Sequence, residues 1–323
     1  MTTSATFPAH APAVTVTRGQ AVESVHYGSL VVLDAHGSAA RTLGDPEAMM
    51  FGRSALKPLQ ALAMLRAGFA GNPHQVTLAC ASHSGEQVHL NVVRSTLADA
   101  GLTESDLLNT PDLPFGQEAR KVATIMGEKP SALYQNCSGK HAAMLATCVV
   151  NGWPTDAYLD PAHPLQQLIL ETAREVTGEE PAALTVDGCG APVFGFSLTG
   201  LARVYAHIAK VGSQAPASPE GRIYFGITQN PELLGGTNRD VTDEMIAFTG
   251  LMTKDGAEAV QAGAFADGSA FALKIADGSD RARSVLGLDA IRTLGRSSSK
   301  LEKKHTLPIL GHGKPVGTLR VIG

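Results

Sequence analysis

Residues 14–17 alternate apolar and polar as Val14-Thr15-Val16-Thr17, and residues 25–33 are rich in β-branched and apolar side chains, interrupted at Gly28. Alternation with period two marks a strand with one buried face, and Asp34-Ala35-His36-Gly37 is a turn signal, so an antiparallel hairpin is expected before residue 50. The pattern then changes. An apolar run over 59–70 reads as a helix entered through Gly52-Arg53-Ser54-Ala55-Leu56-Lys57-Pro58, because proline is tolerated best in a first turn. Residues 76–81 form a short apolar run, and a helix follows from about 86 to 100. Residues 105–108 start a short helical or loop segment.

Residues 139–150 leave so little polar surface that they predict a buried helix, and helical patterns recur over 164–176 and 198–211. In the last third, 257–265 and 271–275 are strand candidates split by Ala266-Asp267-Gly268. A helix is expected over 280–294, a polar, basic loop over 297–304 and a final strand over 316–322. Strands at both ends and helices between them imply an α+β fold: one antiparallel sheet built from both chain ends with an inserted helical lobe. The expected unit runs over 14–323. Its sheet lobe is about 14–80 and 250–323, its helical lobe about 81–249, and residues 1–13 form a flexible N-terminus.

Composition narrows the function classes. With 323 residues, 44% hydrophobic and 17% charged, the chain can bury a large core. A net charge of −4 supplies no attraction for nucleic acid or an anionic membrane, and no apolar stretch approaches a membrane span. Four scattered cysteines, Cys80, Cys137, Cys148 and Cys189, are too few for a disulfide framework, and residues 1–13 lack the basic and apolar regions of a signal peptide. The expectation is a cytoplasmic protein with free or metal-bound thiols. Cys80 and Cys148, inside apolar runs, are assigned to the core.

Ser54 and Lys57 fall one turn apart on one face of the expected helix, so hydroxyl and amine can meet. Such a pair also suits a plain N-cap. Catalysis asks more: a serine hydroxyl is inert without a base, and a lysine serves as one only when its pKa falls from about 10.4 to roughly 7–8. That requires desolvation or a neighbouring cation, for which Lys254 in Lys254-Asp255-Gly256 is the candidate. Ser-x-x-Lys, then Ser82-His83-Ser84, then Lys254-Asp255-Gly256 follows the order of the three motifs of penicillin-binding proteins and serine β-lactamases. Ser84 stands where they carry Asn and Asp255 where they carry Thr, which implies a similar acyl-transfer site for a different substrate.

The motifs Arg53-Ser54-Ala55-Leu56-Lys57-Pro58, Leu78-Ala79-Cys80-Ala81-Ser82-His83-Ser84-Gly85-Glu86, Asn136-Cys137-Ser138-Gly139-Lys140-His141, Asp187-Gly188-Cys189-Gly190-Ala191-Pro192 and Lys254-Asp255-Gly256 together resemble the asparaginase II family, the rhizobial-type L-asparaginases. The resemblance spans about 25–323. It implies hydrolysis of L-asparagine to L-aspartate and ammonia, a fold akin to glutaminases and β-lactamases, and a homodimer. It also implies two Ser–Lys tandems, Ser54–Lys57 and Ser82–Lys254, with Ser84 the alternative to Ser82. A glutaminase, a β-lactamase-like hydrolase or a non-catalytic zinc and thiol sensor are the competing readings.

The resemblance further implies a zinc ion held by Cys137, Lys140 and Cys189. Metal chemistry alone favours His141 as the third ligand, since neutral imidazole is ready at pH 7 and lysine must first lose a proton. With Lys140 as ligand, His141 becomes a group facing substrate or metal, with Asp187 as its orienting partner. Arg53 could hold a substrate carboxylate as a fork, or hold its own loop. Glu86 could bind the substrate amine or favour the N-terminus of the next helix, and His83 adjoins the second serine.

Overall fold

The computed structural model describes residues 7–322. It is a mixed α/β structure with antiparallel sheets. The main sheet has seven strands. Six run in the order Leu319–Val321, Ala11–Arg18, Ala21–Leu33, Ala270–Ile275, Val260–Ala264, Met252–Gly256, and Ala39–Leu43 pairs with the end of Ala21–Leu33. Both chain ends therefore meet in one sheet. Residues 1–6 of the expected flexible terminus lie outside the described residues, but Ala11 to Ala13 already belong to the first strand, with Ala11 opposite Gly28 and Pro12 opposite Tyr27.

Alternation along the strands decides what each face buries. Val31, Leu33 and Ala272 join an apolar cluster with Leu62, Leu78 and Ile208. Leu30, Val32, Phe271 and Leu273 turn the other way, onto Leu286 and Ile291 of the helix Asp280–Thr293. Each such fully buried side chain contributes about 1.5–3 kcal/mol. On the first face lie Lys57–Arg66, Pro73–Ala79, Ser138–Asn151, Pro164–Thr177 and Leu198–Gln214, all sharing that one cluster.

One local expectation changes, and two elements appear that the sequence pattern left unassigned. The apolar run at 76–81 lies mostly within a helix, Pro73–Ala79, started by a capping box between Asn72 and Gln75. The expected loop at 297–304 contains the helix Ser299–His305, which Ser298 caps and Leu301 anchors by burial. A small three-stranded sheet, Met50–Phe51, Pro192–Phe196 and Ala183–Val186, had no clear alternation to announce it. No helix among the described residues is long and apolar enough to cross a membrane.

Candidate active site

Ser54 sits on a 3₁₀ turn, Arg53–Leu56, that runs straight into the helix Lys57–Arg66. Arg53 holds φ at 49°, a left-handed conformation that costs a bulky residue about 1–3 kcal/mol and persists only when its surroundings enforce it. Here the enforcement is visible. The strand Met252–Gly256 presses on the turn so closely that a Cβ on Gly256 would lie 2.7 Å from the Gly52 carbonyl oxygen. Tyr205 Oη donates to the Ala55 carbonyl at 2.8 Å from the other side. Ser54 thereby opens onto a cleft of about 580 Å3 that Ser82, Asn136, Arg239 and Asp255 also line.

Two buried amines stand behind these serines. Lys57, 2% exposed, donates to the Ala81 carbonyl at 2.5 Å and to Ser82 Oγ at 3.0 Å. Lys254, 1% exposed, donates to the carbonyl and carboxylate of Asp255, each at 2.6 Å. Burial, with the Lys57 charge adding to it, pushes the Lys254 amine down to about 8 although Asp255 opposes the shift. Asp255 stays well below the usual carboxylate range in spite of burial, held there by Lys254 and by Arg239, whose guanidinium lies 2.6 Å away. The expected tandems are thus crossed: among the described residues neither Ser54 and Lys57 nor Ser82 and Lys254 share a hydrogen bond, and Lys57 bonds Ser82 instead.

Around the second serine, Ser84 turns away and donates to the Gly235 carbonyl at 2.9 Å, while Ser82 faces the cleft. His83 is wholly buried and stacked on His89. Its Nδ1 accepts from Gly85 N–H, so Nε2 carries the proton donated to Ser138 Oγ at 2.9 Å. Neither nitrogen is left for a substrate, and burial holds the ring's pKa well below 6.5. The Glu86 carboxylate accepts from Thr237 N–H at 2.9 Å and from its hydroxyl at 3.2 Å, and it lines a separate pocket rather than the cleft of Ser54. Both side chains make structural contacts here: His83, a substrate-binding candidate left undecided, bonds the start of the helix at Ser138, and Glu86, read either as binding a substrate amine or as favouring the next helix, stands at the N-cap of Gln87–Asp99.

Cys137, at the N-terminus of the helix Ser138–Asn151, meets Cys189 from its Gly-rich turn in a small buried cluster. The Cys137 thiol donates to Asn136 Oδ1 at 3.2 Å, and the two neighbouring sulfurs part in acidity: each acting on the other, Cys189 falls to about 4, with the Lys140 charge helping, and Cys137 rises to about 12, with burial helping. Lys140 donates to Cys189 Sγ at 3.2 Å, and although burial opposes it, the sulfurs raise its pKa. His141 Nδ1 is 2.8 Å from Tyr158 Oη, and its Nε2, also buried, has no partner among the described residues. The expected Asp187–His141 pairing is absent. Asp187 instead takes Arg53 Nε–H at 2.7 Å, which ties its carboxylate to the loop beside the serine turn and leaves the terminal NH2 groups of Arg53 outside that bond.

A zinc ion can be tested against this donor set. No three His, Cys, Asp or Glu side chains gather to hold a metal among the described residues, so His141 does not stand ready beside the two sulfurs as a third ligand. Two sulfurs and the Lys140 amine stand together, with the Cys189 thiol held well below its ordinary value by its neighbours, and these fit a soft divalent cation once Cys137 and Lys140 give up protons.

Sequence reasoning passed over Tyr158, Arg239, Asp255 and Asn136. Asp255 and Asn136 each adjoin a residue that was chosen, and adjacency was a usable signal; nothing local marks Tyr158 or Arg239.

A family model described as L-asparaginase II matches residues 14–321. A search of curated proteins finds no match. Among solved structures, a crystal structure of Mglu in its native form is 14% identical with a TM-score of 0.39, over 83% of this chain and 64% of that one. Mglu in its tris and glutamate form is 12% identical with a TM-score of 0.38, over 82% and 59%. The chain spans about three fifths of the length of these two proteins.

Proposed function

This chain belongs to the L-asparaginase II family, and on that premise we propose that it hydrolyses L-asparagine to L-aspartate and ammonia through a serine acyl-enzyme. The observation that carries the reading is one cleft shared by Ser54 and Ser82, with the Lys57 amine bonded to Ser82 behind it. Ser54 Oγ attacks the side-chain amide carbon and its proton passes to an amine. Collapse of the tetrahedral oxyanion returns a proton to the departing nitrogen, which leaves as ammonia, and water cleaves the β-aspartyl ester. Lys254 is the amine with an accessible neutral form near pH 8, and Ser82 and Lys57 relay protons between it and Ser54.

A rival assignment has its own observation: Ser82 is the serine that already holds a lysine hydrogen bond, as an activated nucleophile would. Replacement separates them. Ser54→Ala is expected to lower ammonia release from asparagine about 10³-fold or more and to abolish a trapped acyl-enzyme in mass spectra. A trapped acyl group on Ser82 in the wild-type chain would transfer the nucleophile's role there. Rates on glutamine and on a chromogenic β-lactam test the related hydrolase readings.

Cys137, Lys140 and Cys189 would hold zinc, which when bound supplies a fixed positive charge and ties the two loops together. A non-catalytic zinc or thiol sensor predicts metal binding without ammonia release, so one ammonia assay with and without chelator distinguishes it. The sheet drawn from both chain ends, with helices on both faces, supports a β-lactamase-like fold. Four free, buried cysteines support a reducing, cytoplasmic setting. A homodimer is part of the same reading, and sedimentation measures it.

A further inference from the structure

A second cavity, of about 240 Å3, has Arg53 in its wall but not Ser54, and Glu258 lines both it and the cleft. Its apolar side is Met49, Met50, Phe51 and Leu198. Its polar side is charged with both signs: Arg53 and Lys274 against Asp45 and Glu258. These charges are not spent on one another. Lys274 donates to two neutral carbonyls, those of Glu258 at 2.6 Å and Ile275 at 2.7 Å, and among the described residues Lys274, Asp45 and Glu258 form no ion pair. Arg53 gives only Nε–H to Asp187, so its two terminal NH2 groups have no acceptor among the described residues. Among the described residues the Asp45 carboxylate receives a single bond, from Ala48 N–H at 3.1 Å.

Among the described residues Lys274, Asp45 and Glu258 lack an ion-pair partner, and Arg53 keeps its terminal NH2 groups beyond its pair with Asp187, so a ligand carrying both signs meets complementary groups here. The two cations are close enough to be felt: burial lowers the Lys274 pKa, and the Arg53 charge lowers it further against Glu258 and Asp277. An anion between them removes that repulsion, and a cation beside Asp45 and Glu258 completes the other half.

We propose that this cavity is a binding site for an apolar α-amino acid. The carboxylate lies between Lys274 and Arg53, the ammonium toward Asp45 and Glu258, and the side chain against Met49, Met50, Phe51 and Leu198. A fatty acid would leave the two carboxylates uncompensated, and an alkylamine the two cations. The volume falls just under the roughly 300–1,000 Å3 of sites for drug-sized ligands, which suits a molecule the size of leucine. The site is distinct from the cleft in which asparagine would react, so it stands whether or not that reading does.

Calorimetric titration of the full chain tests it with three probes: L-leucine, 4-methylpentanoate, which lacks the amine, and 3-methylbutylamine, which lacks the carboxylate. Saturable binding of L-leucine at one site per chain is expected, with each truncated analogue at least about tenfold weaker. Lys274→Met removes a charge, and Ala48→Trp fills the cavity from its rim; each should weaken leucine at least about tenfold with the thermal midpoint retained. Should Lys274→Met fail to fold, Ala48→Trp decides alone. Ser54→Ala should bind leucine as the wild type does. No saturable leucine binding, equal binding of 4-methylpentanoate, or leucine affinity unchanged by Ala48→Trp would each overturn the proposal.

Discussion

Lys254 is almost wholly withdrawn from water, and its amine meets one carboxylate and one carbonyl while Lys57 lies near enough to repel it. Its pKa falls from 10.5 to about 8 on folding, so the folded protein releases this proton earlier than the unfolded chain. Stability linked to Lys254 therefore rises with pH across that interval, and the cost of burying the cation is fully present below about 8. Catalysis that needs the neutral amine has the same sign. Ammonia release assayed from about pH 6 to about pH 10 should show kcat/KM climbing about tenfold per unit up to a bend near 8 and then levelling. In Lys254→Arg, always charged, that bend should vanish with most of the activity. The two serines flanking His83 should also part company. Ser84→Ala loses only the bond to Gly235 and about 1 kcal/mol of stability, with turnover close to wild type. Ser82→Ala removes the only side-chain partner of Lys57 among the described residues and should lower turnover at least about 100-fold. Steady-state rates beside denaturant midpoints read both.

At the scale of elements, the catalytic geometry depends on a strand and a turn that touch backbone to backbone. Gly256 makes that approach possible, because any Cβ there collides with the Gly52 carbonyl and crowds Ala55 N at 3.2 Å. Neither partner is the end of a flexible side chain, so the strand must move. Gly256→Ala should cost about 1–3 kcal/mol of stability and lower kcat more than it raises KM, since Ser54 and the strand carrying Lys254 are displaced relative to each other. Unaltered kinetics in a folded Gly256→Ala protein would show that the turn and the strand are not coupled.

For the whole molecule, two imidazoles matter beyond their neighbourhoods. His83 and His141 are fully buried in neutral form, with pKa values held well below 6.5, first by burial and then by nearby charge. Unfolding exposes them to ordinary protonation, so the unfolded chain binds more protons below about 6.5 and stability falls as pH drops through that value. Each histidine contributes a slope of up to about 1.4 kcal/mol per pH unit. Urea midpoints at pH 7 and at about pH 5 should differ in that direction, and His83→Asn should flatten the dependence. Equal midpoints would mean that another group compensates.

The sequence by itself determined the elements whose pattern is local. Alternation marked 14–17 and 25–33, and apolar helical periodicity marked 139–150, 164–176, 198–211 and 280–294, all within a few residues of where they lie. It also picked out Ser54, Lys57, Ser82 and Lys254 as unusual, because a serine–lysine motif and a lysine before Asp-Gly carry a chemical expectation wherever they fold. Partnership is another matter. That Lys57 bonds Ser82, that Arg53 takes Asp187 134 positions away, and that Tyr158 reaches His141 were decided only in three dimensions. Period two or 3.6 is imposed by the backbone on near neighbours, whereas the partner of a buried amine is chosen by how a sheet from both chain ends packs against helices from the middle.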